Sequence, residues 1–193
     1  MNPILAGALA GLVATVPMTW AMNRMHRRLP RRQRYPLPPR LISERVAAAA
    51  GMADSMTERQ RVGFALASHY AYGAAAGAGC APVMRAVGGP PVVGGIAYGL
   101  GVWAASYLGW IPALGILRPA TDHPRERVGM MLAAHVVWGG ATGWLTARLS
   151  ERRGTLSPLH GAWTAGRIRG SDLARESTVP QDHRRRSGVT TSA

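Results

Sequence analysis

Two histidines stand in the same local pattern, His69-x-x-x-Gly73-x-x-x-Gly77 and His135-x-x-x-Gly139-x-x-x-Gly143. Spacings of four place an imidazole and both following glycines on one face of a helix. The glycines form a groove for a neighbouring backbone, so the helix-packing role falls to them and each histidine faces the same interface. An imidazole pair there could act as a proton-linked switch, since its ordinary pKa of about 6.5 responds to mild acidification. It could supply ligands to a metal or haem, or line a permeation path. It could equally be structural, each ring donating to a backbone carbonyl or to a hydroxyl such as that of Tyr98 or Ser106. Two histidines do not complete a metal site, and the apolar stretches around them contain no carboxylate, so no metal or cofactor is assigned. The chain offers no evident Ser/His/Asp set, paired carboxylates or glycine-rich phosphate loop, and an enzyme is not expected.

The two patterns belong to a longer self-match displaced by 66 residues. Arg59-Gln60-Arg61-Val62-Gly63 aligns with Arg125-Glu126-Arg127-Val128-Gly129, and Leu66-Ala67-Ser68-His69 with Leu132-Ala133-Ala134-His135. Each histidine lies eight residues past an arginine, which is roughly 12 Å along a helix and near the middle of a hydrocarbon core about 30 Å thick. Equal spacing predicts equal depth, and equal glycine phasing predicts that His69 and His135 face each other or a shared cavity. An ionisable residue facing lipid is costly, so both should point inward.

Such helices require a membrane around them. Residues 1–23, 62–84, 86–117 and 128–147 contain no Asp, Glu, Lys or Arg and are long enough to cross a bilayer. In the third, Gly88-Gly89-Pro90-Pro91 reads as a turn, which leaves residues 92–117 as a helix bent near Pro112, with Trp103, Tyr107 and Trp110 as interfacial anchors. The predicted fold is all-α, an integral membrane bundle of four transmembrane helices over residues 1–147. A repeated unit whose basic end comes first in both copies implies parallel helix-pair repeats, supported more weakly by Gly7-x-x-x-Gly11-Leu12 and Gly95-x-x-x-Gly99-Leu100. Plentiful Gly and Ala with a single Phe suits close packing in lipid better than a water-driven core.

All 23 basic residues are arginine, and the formal net charge is +14. They cluster between apolar stretches, where they set topology, and nucleic acid is not an expected partner. The first stretch lacks the basic leader of a signal peptide and is followed by Arg24, Arg27, Arg28, Arg31, Arg32 and Arg34. The expected arrangement is therefore a multi-pass protein of a bacterial plasma membrane, N-terminus outside and the basic 24–61 loop cytoplasmic. Within that loop Tyr35-Pro36-Leu37-Pro38-Pro39 should be extended, and residues 41–50 should form a helix ended by Gly51, with Leu41, Ile42 and Val46 against the membrane surface. Ser55 and Glu58 have the spacing of a capping box, and the loop is a candidate contact for anionic lipid or a partner. Residues 148–193 read as a disordered basic tail. Four spans place that tail outside, whereas Arg148, Arg152 and Arg153 favour the cytoplasm. Cys80 stands alone and excludes an internal disulfide.

Tyr35-Pro-Leu-Pro-Pro-Arg40, His69-Tyr-Ala-Tyr-Gly73, Gly109-Trp-Ile-Pro-Ala-Leu-Gly115 and Ala134-His-Val-Val-Trp-Gly139 give residues 4–147 a further meaning. At these segments the chain resembles the YagU-like family of small bacterial inner-membrane proteins. The resemblance implies a membrane protein with a loose link to acid stress and carries no active site. The leading expectation is a non-enzymatic protein that stabilises, regulates or assembles with other membrane components, including a homo-oligomer through its glycine faces. A small transporter or channel using the histidine pair, and a haem- or metal-binding membrane protein, are the alternatives.

Overall fold

The computed structural model describes residues 1–151, so the tail expected over 148–193 lies outside the described residues beyond its first few positions. The described chain is helical: α1 (Pro3–His26), α2 (Pro38–Ala49), α3 (Glu58–Ala78), α4 (Cys80–Val87), α5 (Pro91–Ala104), a π segment (Ala105–Trp110), α6 (Ile111–Ala113) and α7 (Arg125–Glu151). Three helical stretches are long and apolar enough to cross a membrane, namely Pro3–His26, Pro91–Ala113 and Arg125–Ser150. At 21 residues α3 has the length, but Ser68, His69, Tyr70 and Tyr72 lower its apolar character. Large apolar side chains nevertheless face outward on each long helix, including Val16 and Trp20 on α1, Leu66 on α3, Val93 on α5 and Val137 on α7.

Helix boundaries follow local chemistry, and several differ from the sequence expectation. The Asn2 side chain accepts from the Ile4 N–H at 2.9 Å and opens α1, with Pro3 in the first turn, where a missing N–H does no harm. The same property starts α2 at Pro38, three residues before the expected helix, so only the run up to Leu37 is extended. Leu41, Ile42 and Val46 do not share a membrane-facing role: Ile42 points into a cavity, while the neighbouring Ser43 and Ala47 are buried. The cap of α3 is Thr57 with Gln60, not Ser55 with Glu58. The Gln60 side chain accepts from the Thr57 N–H at 2.8 Å, and the Thr57 hydroxyl accepts from the Gln60 N–H at 3.4 Å. Ser55 is held in a short turn, Ala53–Ser55, because Arg61 donates back to the carbonyls of Ala53 and Met56.

The third apolar stretch also differs from a helix over 92–117. Gly88 and Gly89 turn the chain with φ of 73° and 87°, positions that favour glycine, and Pro91 starts α5. The bend lies near Pro112, one turn upstream of it. Proline offers no N–H to the residue one turn earlier and crowds its carbonyl, so the distortion falls on the π segment, where Gly109 takes φ −109° and ψ −109°. The helix stops at Ala113, and Gly115 at φ 67° lets the Ile116 N–H return to the Ile111 carbonyl at 3.1 Å. Tyr107 is a buried core residue stacked on Trp103 at 6.4 Å rather than an interfacial anchor.

Two helix pairs meet backbone to backbone. A Cβ added to Gly77 would lie 2.7 Å from the Gly11 Cα, joining α3 to α1, and one added to Gly143 would lie 2.8 Å from the Gly95 Cα, joining α7 to α5. The glycine faces are thus filled within one chain. α7 also packs along α1, where the Trp138 indole N–H donates to the Gly11 carbonyl at 3.1 Å. No comparable packing joins α3 to α5.

At the end of the bundle where α3 starts, Arg40 of α2 grips Glu58 with two bonds of 2.6 and 2.9 Å and reaches Glu44 at 2.7 Å. The bond from Arg40 holds the Glu58 carboxyl below its usual range, while Glu58 raises the Arg40 guanidinium, which stays charged throughout. A lowered folded-state pKa contributes stability above the ordinary glutamate value of about 4.3 and loses it as pH falls through the lowered value. Hydrogen exchange of α2 is expected to rise modestly over that acid window in the native chain. Glu58→Gln should remove most of the step, and because the pair is exposed the effect should shrink in high salt.

Candidate functional site: the cavity shared by two histidines

His69 on α3 and His135 on α7 line one cavity of about 220 Å³. It exceeds the roughly 150 Å³ that accommodates benzene in an apolar protein interior. α1 contributes Thr15, Met18 and Met22, α2 adds Pro39 and Ile42, and the π segment supplies Ser106, Tyr107 and Trp110. The wall is therefore largely apolar with a polar band at the level of the histidines.

The two imidazoles are not equivalent. His135 is 7% exposed, and its Nδ1 lies 2.8 Å from the Met131 carbonyl one turn earlier on its own helix. A carbonyl only accepts, so Nδ1 carries the proton and Nε2 of the neutral ring is left as an acceptor. Tyr107 meets that ring edge-on at 6.0 Å. On His69 the Nε2 atom is buried and has no hydrogen-bond partner. Neither Tyr98 nor Ser106 serves the histidines as a partner: the Tyr98 hydroxyl donates to the Ala76 carbonyl, and Ser106 shares a 2.7 Å hydrogen bond with Tyr72.

Gly73 lines the cavity as well as the α1 contact, whereas Gly77, Gly139 and Gly143 act at the helix contacts. Cys80 is buried with its Sγ 3.3 Å from the Met84 Sδ and does not line the cavity. No group of three or more His, Cys, Asp or Glu is placed to hold a metal among the described residues. The pair by itself supplies at most two imidazole donors, short of a closed zinc site.

No family model, curated protein or solved structure matches the chain. The chemistry of the site rests on its own geometry. Neither imidazole is hydrogen-bonded to a hydroxyl or thiol among the described residues. What the cavity offers is shape, apolar contact and a small number of directional polar atoms, the usual composition of a small-molecule site. Sequence reasoning missed Tyr72 and Trp138, which stand three residues after His69 and His135 and also line the cavity. A spacing of three keeps them on the histidine face, so helical phasing carried that signal.

Proposed function

We propose that this chain is a non-enzymatic, multi-pass membrane protein that binds a small, mainly apolar molecule between His69 and His135, and that occupancy governs how it regulates or assembles with other membrane components. The observation carrying this reading is the shared cavity, with one buried imidazole nitrogen lacking a partner. A buried polar atom without a partner costs on the order of 1–3 kcal/mol, which a bound donor or acceptor would recover.

In the same reading α1, α3, α5 and α7 are four spans made of two related pairs, α1 with α3 and α5 with α7. The support is that Gly7 and Gly11 meet Gly77 and Gly73 as Gly95 and Gly99 meet Gly143 and Gly139. Membership of the YagU-like family, a bacterial plasma-membrane location, an external N-terminus and a cytoplasmic 24–61 loop belong to this proposal. Arg24, Arg27, Arg28, Arg31, Arg32 and Arg34 are exposed and favour the cytoplasmic side, where they would also meet anionic lipid.

Native mass spectrometry of gently solubilised protein provides the test. The wild-type chain is expected to retain a bound small molecule that is depleted in Ala76→Phe, which fills the cavity, and in His69→Leu. Equal retention by all three, or none by the wild type, would overturn the reading. pH-dependent solute flux through liposomes containing the protein would instead favour a transporter.

A further inference from the structure

The cavity has a wall that the repeated architecture does not close. If α1 corresponds to α5 and α3 to α7, the packing of α1 on α7 has its counterpart in α5 on α3, where no comparable packing exists. Trp138 pins α7 to the Gly11 carbonyl of α1. The residue 66 positions earlier is Tyr72, and its hydroxyl reaches Ser106 across the space between α3 and the π segment. Tyr98 makes a second bridge to the Ala76 carbonyl.

Both Tyr72 and Trp110 line the cavity while remaining 41% and 39% exposed, and their rings meet at 6.0 Å. Side chains that face the cavity and the outer surface together mark its mouth. The frame behind them is the π segment, with Gly109 outside helical geometry, and this wall lacks the close backbone packing of the glycine-packed pairs. Along spanning helices, a mouth in a side wall faces acyl chains.

We infer that the ligand is a single-chain lipid with a carboxyl or hydroxyl head, entering sideways from the bilayer between α3 and α5 through the Tyr72–Ser106 contact. Its head hydrogen-bonds the free Nε2 of His69, and the first part of its chain lies against Met18, Met22 and Met131. The remainder passes out through the mouth. The cavity contains no carboxylate to repel an acidic head, and methionine suits a chain of variable position. This inference rests on the cavity-binding reading above and adds the ligand class and the route.

A long-chain fatty acid bearing a diazirine near its carboxyl group, photolysed with the protein in nanodiscs, provides the test. Label is expected on the α3 peptide containing His69 and the α7 peptide containing Met131, and excess unmodified fatty acid should compete it away. His69→Leu should weaken labelling about five-fold, as for loss of one hydrogen bond. In a Tyr72→Cys, Ser106→Cys, Cys80→Ser protein, joining the new thiols with a bismaleimide should slow labelling several-fold relative to the same protein before reaction, which controls for folding. Label confined to outward residues such as Leu66 and Val137, or unaffected by the tether, would overturn the inference. A bound apolar molecule of another class that fatty acid fails to displace would overturn it while leaving the cavity-binding reading intact.

Discussion

The Gly143→Leu variant is expected to lose its folded form in detergent, and Gly143→Ala to be destabilised by about 1–3 kcal/mol, the usual range for overpacking. A Cβ at this position would lie 2.8 Å from the Gly95 Cα and 3.1 Å from the Gly95 nitrogen. These are backbone atoms of α5, and no rotamer change can move them aside. Relief requires the two helices to separate, which removes the close dispersion contacts that hold helices together in lipid. The matched control is Gly101 on α5, where an added Cβ meets nothing within 4 Å. Gly101→Ala should be neutral or slightly stabilising, because alanine is the better helix former by up to about 1 kcal/mol. Thermal melts followed by size exclusion separate the cases, and a Gly143→Ala protein melting with the wild type would refute the argument.

That contrast marks what the sequence could and could not disclose. Helical phasing links His69 to Gly73 and His135 to Gly139 because both partners lie on one short segment, and it would also have linked Tyr72 and Trp138. A cap competes with whatever precedes it: with Arg61 bonded back to Ala53 and Met56, the N-cap of α3 is Thr57 and not Ser55, and no local pattern encodes that competition. Pro112 announced a bend, but its steric effect acts one turn upstream, so the site of distortion was displaced to the π segment. Two features had no sequence signal at all. One is the lack of close packing between α3 and α5, which identical glycine spacing could not foretell. The other is the docking of residues 31–36 onto the start of α7, a contact between segments about ninety positions apart.

Arg127→Met is expected to loosen that docked segment, with a destabilisation of about 2–4 kcal/mol, the order for carbonyls that lose hydrogen bonds from a charged group. Arg127 is 2% exposed. Its Nη1 donates to the carbonyls of Gln33 and Tyr35 at 2.9 and 3.1 Å, and its Nη2 to that of Pro36 at 3.0 Å. The guanidinium also sits 3.6 Å from the centre of the Tyr35 ring. Methionine fills similar volume but leaves the Gln33 and Pro36 carbonyls without a side-chain donor, while the Tyr35 carbonyl keeps the His26 Nε2 at 3.1 Å. Lysine should recover only part of the loss, since an ammonium cannot present a planar fork to carbonyls on either side while stacking on the ring. The Gln33 to Glu126, Tyr35 to His123 and His26 to Tyr35 carbonyl bonds, each of 3.1 Å, remain in the variant, but all three are only partly buried and should hold the segment less firmly. Trypsin should therefore cut at Arg31, Arg32 and Arg34 at least tenfold faster, roughly the factor that 1.4 kcal/mol of easier opening supplies. Arg61, the corresponding residue of α3, bonds only its own approach at Ala53 and Met56, so Arg61→Met should leave cleavage of the 31–36 segment unchanged. The consequence reaches the cavity, because the docked segment leads directly into α2, whose Pro39 and Ile42 line it. Arg127→Met should accordingly weaken ligand retention although Arg127 does not line the cavity. Wild-type trypsin resistance together with unchanged retention would show that the carbonyl cage holds nothing in place.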